Sequence, residues 1–259
     1  MTTTKKLVSN LSIQRTPGIE YSVNPRPERL VFVCGLHRSG TSLVEQMLVS
    51  QLDLSCLRMR VPENEGQHAQ TVYSPALAFG GPGRFAFSDD MQRELKSLND
   101  FDEHRKTILS DWAPFMVGSS TTLIEKSPPN LTKIWWLRKV FPGARFVIVV
   151  RDPRAVSGAT QKWSQTSLEE LMMHWHVAHS LALKDISAND CVTIKYEDLV
   201  ASPDEVLNRI AQFLEAAWRP KQFPIADQYK KLLNSNDKYI ARHSCRFYGK
   251  GAWDDFGYG

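Results

Sequence analysis

The stretch LVFVCGLHRSGTS, residues 30–42, decides the fold. Residues 30–34 form a short run of β-branched and apolar residues, which is typical of a strand buried on both faces. A glycine-bearing turn follows at residues 35–42, and residues 41–49 have the apolar spacing of a helix. A strand, a glycine-bearing turn and a helix in this order predict a loop that wraps around a phosphate or a sulfate.

This turn departs from the GxxxxGK[ST] loop of nucleoside triphosphate-binding proteins at one position, because Thr41 stands where the lysine belongs. Gly35 and Gly40 let the backbone approach an anion, and the first amide groups of the helix point towards it. Arg38 becomes the nearest fixed cation, and its planar guanidinium suits a tetrahedral oxyanion. The alternative is a turn that only packs a helix against a sheet.

Short apolar runs alternate with segments of helical spacing along most of the chain. The runs predicted as strands are residues 123–125, 145–150 and 191–196. Helical spacing occurs at residues 131–140, from near Ala155, at residues 167–186, and after Ser202-Pro203-Asp204-Glu205, which we interpret as a capping box. This alternation predicts an α/β domain with a three-layer, P-loop NTPase-like fold, in which helices flank a mainly parallel central sheet.

The length of 259 residues suits one large domain, and we take residues 1–259 as a single unit. Residues 1–28 are polar and contain prolines, which predicts an N-terminal arm. The pattern weakens over residues 53–122, which we interpret as an insertion that builds a substrate pocket, with a solvated loop as the alternative. Its aromatic residues either line that pocket or belong to the core: Tyr73, Phe79, Phe85 and Phe87.

Composition narrows the class of partner. The formal net charge is +4, and no run of five or more like charges occurs, which argues against nucleic acid and favours a small polyanion bound in one cleft. The four cysteines are far apart and predict reduced thiols: Cys34, Cys56, Cys191 and Cys245. Because no signal peptide and no apolar stretch of about 18 to 20 residues is visible, we expect no integral membrane segment and a cytoplasmic location.

Two features bear on metal ions. The strand at residues 146–150 runs into RDPR, residues 151–154, which holds more cations than metal ligands, whereas a kinase would place an acidic residue for Mg²⁺ there. Three histidines share a predicted helix but lack an accompanying carboxylate or further ligand: His174, His176 and His179. We therefore expect arginine and lysine side chains to neutralise the charge of the anionic ligand, without a metal ion.

Three segments together, GLHRSGTS at 35–42, EKSPPN at 125–130 and RDPRAV at 151–156, resemble the sulfotransferases that use 3′-phosphoadenosine 5′-phosphosulfate (PAPS). KYEDLVASP at 195–203 adds a fourth match. The resemblance covers about residues 29–215 and is closest to the bacterial branch related to the tyrosylprotein and heparan sulfate enzymes. It implies transfer of a sulfuryl group from PAPS to a hydroxyl, or to an amine, of an acceptor that it does not identify. The aromatic residues of the segment 53–122 lead us to expect a small-molecule, glycan or lipid acceptor bound there.

The resemblance also implies which residues hold the donor. The loop residues would bind the 5′-phosphosulfate: Gly35, Arg38, Ser39, Gly40, Thr41 and Ser42. Arg151 would bind the 3′-phosphate, and Tyr196 matches a tyrosine at the nucleotide site of the tyrosylprotein enzymes.

A second ligand for the 3′-phosphate is left open. The family places a serine eight positions after the arginine, where this chain has Ala159. Ser157 and Thr160 are then the nearest hydroxyls, and Lys162 supplies a further charge. RFYGKG at 246–251 loosely resembles the family's late basic, glycine-bearing cofactor loop.

Sulfuryl transfer is an in-line displacement in which charge grows on the leaving oxygen while the acceptor loses a proton. Lys126 is placed as in family members whose lysine contacts that oxygen, so we expect it to stabilise the leaving group, with Arg38 near the transferred group. The proton acceptor is expected within PENEGQH, residues 62–68, where the tyrosylprotein enzymes carry a glutamate. We rank Glu65 first, Glu63 second and His68 third.

Two other functions stay open at this point. A P-loop small-molecule kinase shares the fold and would require ATP and Mg²⁺, although Thr41 argues against it. A nucleotide-binding regulatory protein would hold the ligand without turnover and would leave Lys126 and Glu65 without a role.

Overall fold

The computed structural model describes residues 27–60, 62–220, 222, 232–243 and 247–259. Three predictions fall wholly or mostly outside these ranges: the arm at residues 1–28, the thiol of Cys245, and Arg246 at the start of the predicted late cofactor loop.

Six strands form one sheet. They are β1 (Arg29–Gly35), β2 (Ser55–Leu57), β3 (Met116–Val117), β4 (Thr122–Lys126), β5 (Arg145–Val150) and β6 (Cys191–Lys195). Their order is β3-β2-β4-β1-β5-β6, and every neighbouring pair is parallel except β2 with β3. The predicted mainly parallel sheet is therefore confirmed.

Helices cover both faces of this sheet. In chain order they are α1 (Thr41–Gln51), α2 (Asp89–Ser97), α3 (Phe101–Trp112), α4 (Ile134–Val140), α5 (Pro153–Thr160), α6 (Leu168–Leu183), α7 (Tyr196–Ala201), α8 (Pro203–Leu214), α9 (Asn236–Ile240) and α10 (Ala252–Asp255). None of the helices in the described ranges is long and apolar enough to cross a membrane.

Strand β1 shows how the layers are joined, because successive side chains of a strand point to opposite faces. Phe32 lies in a cluster with residues of α3, α4 and α6, and its ring stacks on Phe146 with the centroids 5.6 Å apart. Val31 and Val33 lie in a second cluster, with residues of α1 and α8. Burial on both faces explains the continuous apolar run at residues 30–34.

The carboxyl ends of four parallel strands meet at one edge of the sheet. β1 lies between β4 and β5, and Val33 pairs with Lys126 on one side and Val147 on the other. The glycine-bearing turn follows β1, Arg151 follows β5, and Tyr196 follows β6. Ligands of open α/β sheets bind at this edge, so the fold brings together residues that are far apart in sequence.

The predicted helix at residues 131–140 begins later than its apolar spacing suggested. Residues Pro128–Thr132 form a 3₁₀ turn, and α4 begins only at Ile134, after Lys133 with a φ of −124°. The non-helical backbone of Lys133 separates this turn from α4, so residues 131–140 do not form one continuous helix.

The segment 53–122 is folded and contributes to the core. It supplies β2, β3, α2 and α3, and Tyr73 and Phe85 are buried, so the solvated-loop alternative is excluded. Phe79 is partly buried against the same core, whereas Phe87 is 44% exposed. Short 3₁₀ turns dominate residues 62–87, and they lack the periodicity that sequence patterns reveal.

The predicted capping box at Ser202 is wrong, since its side chain makes no capping hydrogen bond. The N–H of Ser202 donates to the carbonyl of Asp198 in α7 at 2.8 Å, so the preceding helix holds this residue. A capping box exists instead at Ser167, whose hydroxyl accepts from the N–H of Glu170 while the Glu170 carboxylate accepts from the N–H of Ser167.

We expect Ser167→Ala to lower the free energy of unfolding by about 1 kcal/mol, because it removes an N-cap acceptor. Ser202→Ala should change it by less than about 0.5 kcal/mol, since no capping bond is lost. Urea unfolding of both variants checks the difference, and equal losses would contradict the assignment of the caps.

Candidate active site

A cleft of about 390 Å³ opens at the carboxyl edge of the sheet, above β1, β4 and β5. Its walls come from the glycine-bearing turn, from residues 63–65, and from the segments that follow β5 and β6. The lining residues are His37, Arg38, Gly40, Thr41, Ser42, Leu43, Glu63, Glu65, Pro128, Arg151, Trp163, Tyr196, Leu232, Leu233 and Ser235.

The amino end of α1 opens into this cleft without a side-chain cap. Gly40 is the N-cap, no side chain among the described residues caps the first N–H groups, and no acidic residue lies in the first turn. Thr41 and Ser42 line the cleft beside these groups. Uncapped N–H groups and the positive end of the helix dipole both favour an anion here.

Gly40 cannot be replaced without strain. Its φ is 103°, and a Cβ atom would lie 2.7 Å from the ring of Tyr196. The tyrosine ring therefore packs directly on the turn, and its hydroxyl donates to the carbonyl of Leu233 at 2.9 Å. Tyr196 thus joins the turn to the opposite wall of the cleft.

Ser39 differs from its neighbours in the turn. Its hydroxyl donates to the carbonyl of Leu36 at 2.7 Å, its N–H donates to the same carbonyl at 3.0 Å, and the residue is buried. Gly35 is also buried, at the end of β1. Both residues shape the turn from behind and do not line the cleft.

Backbone strain is concentrated in the two loops that border the cleft. Within the described ranges, three of the four positive-φ residues other than glycine are Arg38 (71°), Glu63 (55°) and Asn64 (54°). For residues other than glycine, this left-handed backbone conformation is unfavourable, and such residues cluster at functional sites. The Arg38 guanidinium lies 4.5 Å from the ring centroid of Trp163, which is 56% exposed.

Arg151 is buried at the end of β5 and is held from three sides. Its Nε donates to Oδ1 of Asn236 at 2.8 Å, its Nη1 to the Arg38 carbonyl at 2.8 Å, and its Nη2 to Oγ of Ser235 at 3.1 Å. The guanidinium also lies 4.3 Å from the ring centroid of Tyr196. Burial lowers the pKa of Arg151. Three of its five N–H groups are used by partners in the described residues, which leaves two for a ligand.

Ser157 and Thr160 do not lie in the cleft. They line a separate small cavity with Leu36, His37 and His174, and the Ser157 hydroxyl has no hydrogen-bond partner among the described residues. The hydroxyl that contacts Arg151 belongs to Ser235.

The face of α5 that carries Ala159 packs against Tyr239 of α9. Lys162 is exposed, and its Nζ lies 5.3 Å from the ring centroid of Tyr239. Burial alone would raise the pKa of Tyr239, but the charges of Lys162 and Arg38 outweigh it and leave the pKa below its ordinary value. Lys162 is therefore near the cationic wall but does not line the cleft.

Glu65 and Lys126 form a buried ion pair beside the cleft. Lys126 Nζ lies 3.5 Å from Oε1 of Glu65 and donates to the carbonyl of Glu63 at 2.5 Å. Burial raises the pKa of Glu65, and Lys126 opposes that rise. His68 Nε2 is 3.9 Å from Oε2 of Glu65, and burial lowers the pKa of this histidine. The Glu63 side chain is exposed at the rim.

The loop that carries Glu65 is anchored to β4 by Glu125. This buried carboxylate accepts from the N–H of Gly66 at 2.9 Å, from the Ser127 hydroxyl at 2.5 Å and from Nδ2 of Asn130 at 2.6 Å. Burial raises the pKa of Glu125 to about 6, and these donors oppose the rise. The anchoring fixes Glu65 relative to Lys126, its neighbour in the pair.

Sequence analysis missed several residues of this site. Trp163, Ser235, Asn236 and Tyr239 follow no recognisable motif, and their contacts with Arg38, Arg151 and Lys162 arise only from the tertiary fold. Glu125 lies within the quoted segment EKSPPN, so a signal existed for it, but its role as an anchor did not follow from that segment.

The three histidines of α6 have other partners. His174 Nε2 accepts from the N–H of Ala86 at 3.3 Å, and His176 Nδ1 accepts from the N–H of Ala252 at 2.9 Å. The ring of His179 stacks on that of Trp175, with the ring centroids 3.6 Å apart. Within the described ranges, no group of three or more histidine, cysteine or acidic side chains is arranged to hold a metal ion.

Comparisons with known proteins identify the family of this chain. The model of the sulfotransferase family matches residues 30–220. The chain is 26% identical over 212 residues to the protein-tyrosine sulfotransferase of Drosophila melanogaster, covering 76% of the chain and 40% of that relative. It is 25% identical over 200 residues to protein-tyrosine sulfotransferase 1 of Danio rerio, covering 73% of the chain and 54% of that relative. The chain thus spans about half the length of the curated relatives it matches.

One solved structure shares the fold over nearly the whole chain. The sulfotransferase domain of the Synechococcus PCC 7002 olefin synthase superposes with a TM-score of 0.51 at 17% identity, covering 96% of this chain and 99% of that one.

Proposed function

The chain belongs to the sulfotransferase family, and from this premise we propose that it transfers a sulfuryl group from PAPS to a hydroxyl, or an amine, of an acceptor held near Glu65. Membership of this family does not favour the kinase alternative. The non-enzymatic alternative would leave the buried pair of Glu65 and Lys126 without a role.

The observation that carries the proposal is the division of one cleft into two halves. Arg38, Arg151 and the uncapped end of α1 form a cationic half, while Glu63 and Glu65 form a carboxylate half. An anionic donor is attracted to the first half, and a group that must lose a proton is suited to the second. Group transfer requires both halves to face the same space.

The residues of the cationic half fit a nucleotide that carries phosphate groups at its 5′ and 3′ positions. The cleft volume of about 390 Å³ lies in the range of small-ligand sites. The turn with Arg38, Thr41 and Ser42 offers donors to a 5′-phosphosulfate, and the two remaining N–H groups of Arg151 offer a separate site to a 3′-phosphate. Leucine and aromatic side chains that line the same cleft suit a base: Leu43, Leu232, Leu233, Trp163 and Tyr196.

PAPS supplies an activated sulfuryl group, and the protein supplies charge and proton transfer. Glu65 accepts the acceptor's proton, because burial strengthens it as a base while Lys126 keeps it ionised. The ammonium group of Lys126 stabilises the negative charge that develops on the leaving oxygen. Arg38, held by Trp163, neutralises the transferred group from the other side.

The acceptor we propose is a small molecule, a glycan or a lipid. Residues 63–65 of the segment 53–122 line the carboxylate half, which is consistent with a role of this segment in acceptor binding. A cytoplasmic location remains a prediction.

We expect Arg151→Ala to weaken the binding of 3′-phosphoadenosine 5′-phosphate (PAP) by about a hundredfold and that of adenosine 5′-monophosphate (AMP) by less than about threefold. The two nucleotides differ only in the 3′-phosphate, so the difference reports on that contact alone. Calorimetric titration measures both.

Arg93→Ala is the matched control, because Arg93 is exposed and, in the part of the chain that the structure describes, forms an ion pair with Asp90 alone. If Arg151→Ala weakens the binding of PAP and of AMP equally, the assignment of the 3′-phosphate to Arg151 is wrong. If the wild-type protein binds PAP no better than AMP, the donor assignment itself fails.

A further inference from the structure

Arg151 is supported from behind by a chain of hydrogen bonds that the proposed reaction does not use. Asn236 accepts from Nε of Arg151 through Oδ1, and its Nδ2 donates to Oε1 of Glu197 at 2.5 Å. The N–H of Asp152 donates to the same Glu197 oxygen at 3.0 Å. Glu197 therefore holds both the side-chain partner of Arg151 and the backbone that follows it.

The contact between Glu197 and Asn236 determines which way the amide faces. An asparagine side chain has one acceptor oxygen and one donor nitrogen. Because Glu197 is a carboxylate and can only accept, Nδ2 must face it, and Oδ1 is left to face Nε of Arg151. With the amide reversed, two donors would face each other at Arg151 and two acceptors at Glu197.

The second support comes from residues 252–258, AWDDFGY, which we call the aromatic segment. The Tyr258 hydroxyl donates to Oε2 of Glu197 at 2.7 Å. Trp253, Phe256 and Tyr258 surround Trp175, with ring centroids 6.4, 5.8 and 6.4 Å from its own. Trp175 Nε1 in turn donates to the backbone carbonyl of Arg151 at 3.2 Å. The aromatic segment thus supports Arg151 through its backbone and through its side chain.

These contacts leave the ligand-facing groups of Arg151 in a fixed direction. Nε is held by Asn236, and one N–H on each terminal nitrogen is held by Arg38 or Ser235. A guanidinium fixed at three points can present its remaining pair of N–H groups to an oxyanion at little cost in side-chain entropy. Loosening Nε would let the plane of the guanidinium rotate.

We propose that Glu197 and Tyr258 are positioning residues that orient Arg151 for the 3′-phosphate of the donor and so set the preference for PAP over AMP. This inference rests on the proposed function. It assigns the aromatic segment a place behind the nucleotide site, and none of its residues is among those that line the cleft.

The test is calorimetric titration of PAP and AMP into the wild-type protein and the variants Glu197→Gln, Tyr258→Phe and Glu205→Gln. Glu197→Gln keeps the shape of the side chain but replaces one of its two accepting oxygens by an NH₂ group that donates. We expect the ratio of AMP to PAP dissociation constants to fall about tenfold. Tyr258→Phe removes one hydroxyl and should lower the ratio about threefold. Glu205, exposed on α8, is the matched control and should leave the ratio unchanged.

A merely structural role for Glu197 would lower the melting temperature and leave the ratio as it is, and that result would overturn the inference. If Glu197→Gln does not fold, Tyr258→Phe decides in the same way, since it deletes only one oxygen. A wild-type protein without preference for PAP would overturn the proposed function as well, whereas a preference that survives in both variants would overturn this inference alone.

Discussion

Glu65→Gln is expected to lower turnover by about a hundredfold to ten-thousandfold while the affinity for PAP changes by less than about threefold. Glutamine keeps the size of the side chain, and its oxygen can still accept from Nε2 of Gln67, as Oε2 of Glu65 does at 2.5 Å, but it cannot take a proton from the acceptor. We propose that PAP binds in the cationic half, away from the reacting proton, so its affinity is expected to persist. Release of PAP from PAPS, with water or a trial acceptor, measures turnover.

Glu63→Gln is the matched comparison, because Glu63 lines the same half of the cleft but is exposed at the rim. Its turnover should stay within about threefold of the wild type, a change below about 1 kcal/mol in the barrier. The opposite ranking of the two variants would transfer the role of the base to Glu63. If neither variant loses turnover, the role of the base would pass to His68.

Lys126→Ala is expected to lower turnover by about a hundredfold to a thousandfold, with the affinity for PAPS, whose bridging oxygen does not yet carry the charge, nearly kept. The ammonium group is buried beside Glu65, and charge on the leaving oxygen appears only during transfer, so its removal acts on the barrier more than on binding. Single-turnover measurement of PAPS consumption separates the chemical step from binding.

Removing Lys126 also leaves the Glu65 carboxylate buried without its cation, so the melting temperature of this variant should fall. Lys184→Ala, an exposed lysine on the same chain, controls for loss of one positive charge. Turnover within about threefold of the wild type in a folded Lys126→Ala protein would contradict its role.

The strands β1, β4, β5 and β6 and the glycine-bearing turn could be predicted because their signals are local. Residues 30–34 and 145–150 read as buried strands from a few consecutive side chains, and the turn between β1 and α1 is marked by Gly35 and Gly40. The ends of parallel strands then converge, which is why Arg38, Arg151 and Tyr196 could be expected at one edge before any geometry was known.

The supports of the site could not be predicted in this way. Ser235 and Asn236 follow Arg151 by 84 and 85 residues, and nothing in their spacing marks them as partners of an arginine. Ser157 and Thr160 line a separate small cavity, and the hydroxyl that contacts Arg151 is that of Ser235. The helix face that carries Ala159 is covered by Tyr239. The loop with Glu65 consists of 3₁₀ turns, whose few residues carry no period.

Titration of the wild-type protein with PAP and with ATP, each with and without Mg²⁺, decides whether the cleft binds the proposed donor. The account predicts that PAP binds more tightly than ATP by at least about tenfold and that its affinity does not depend on Mg²⁺. Tighter binding of ATP that requires Mg²⁺ would contradict it.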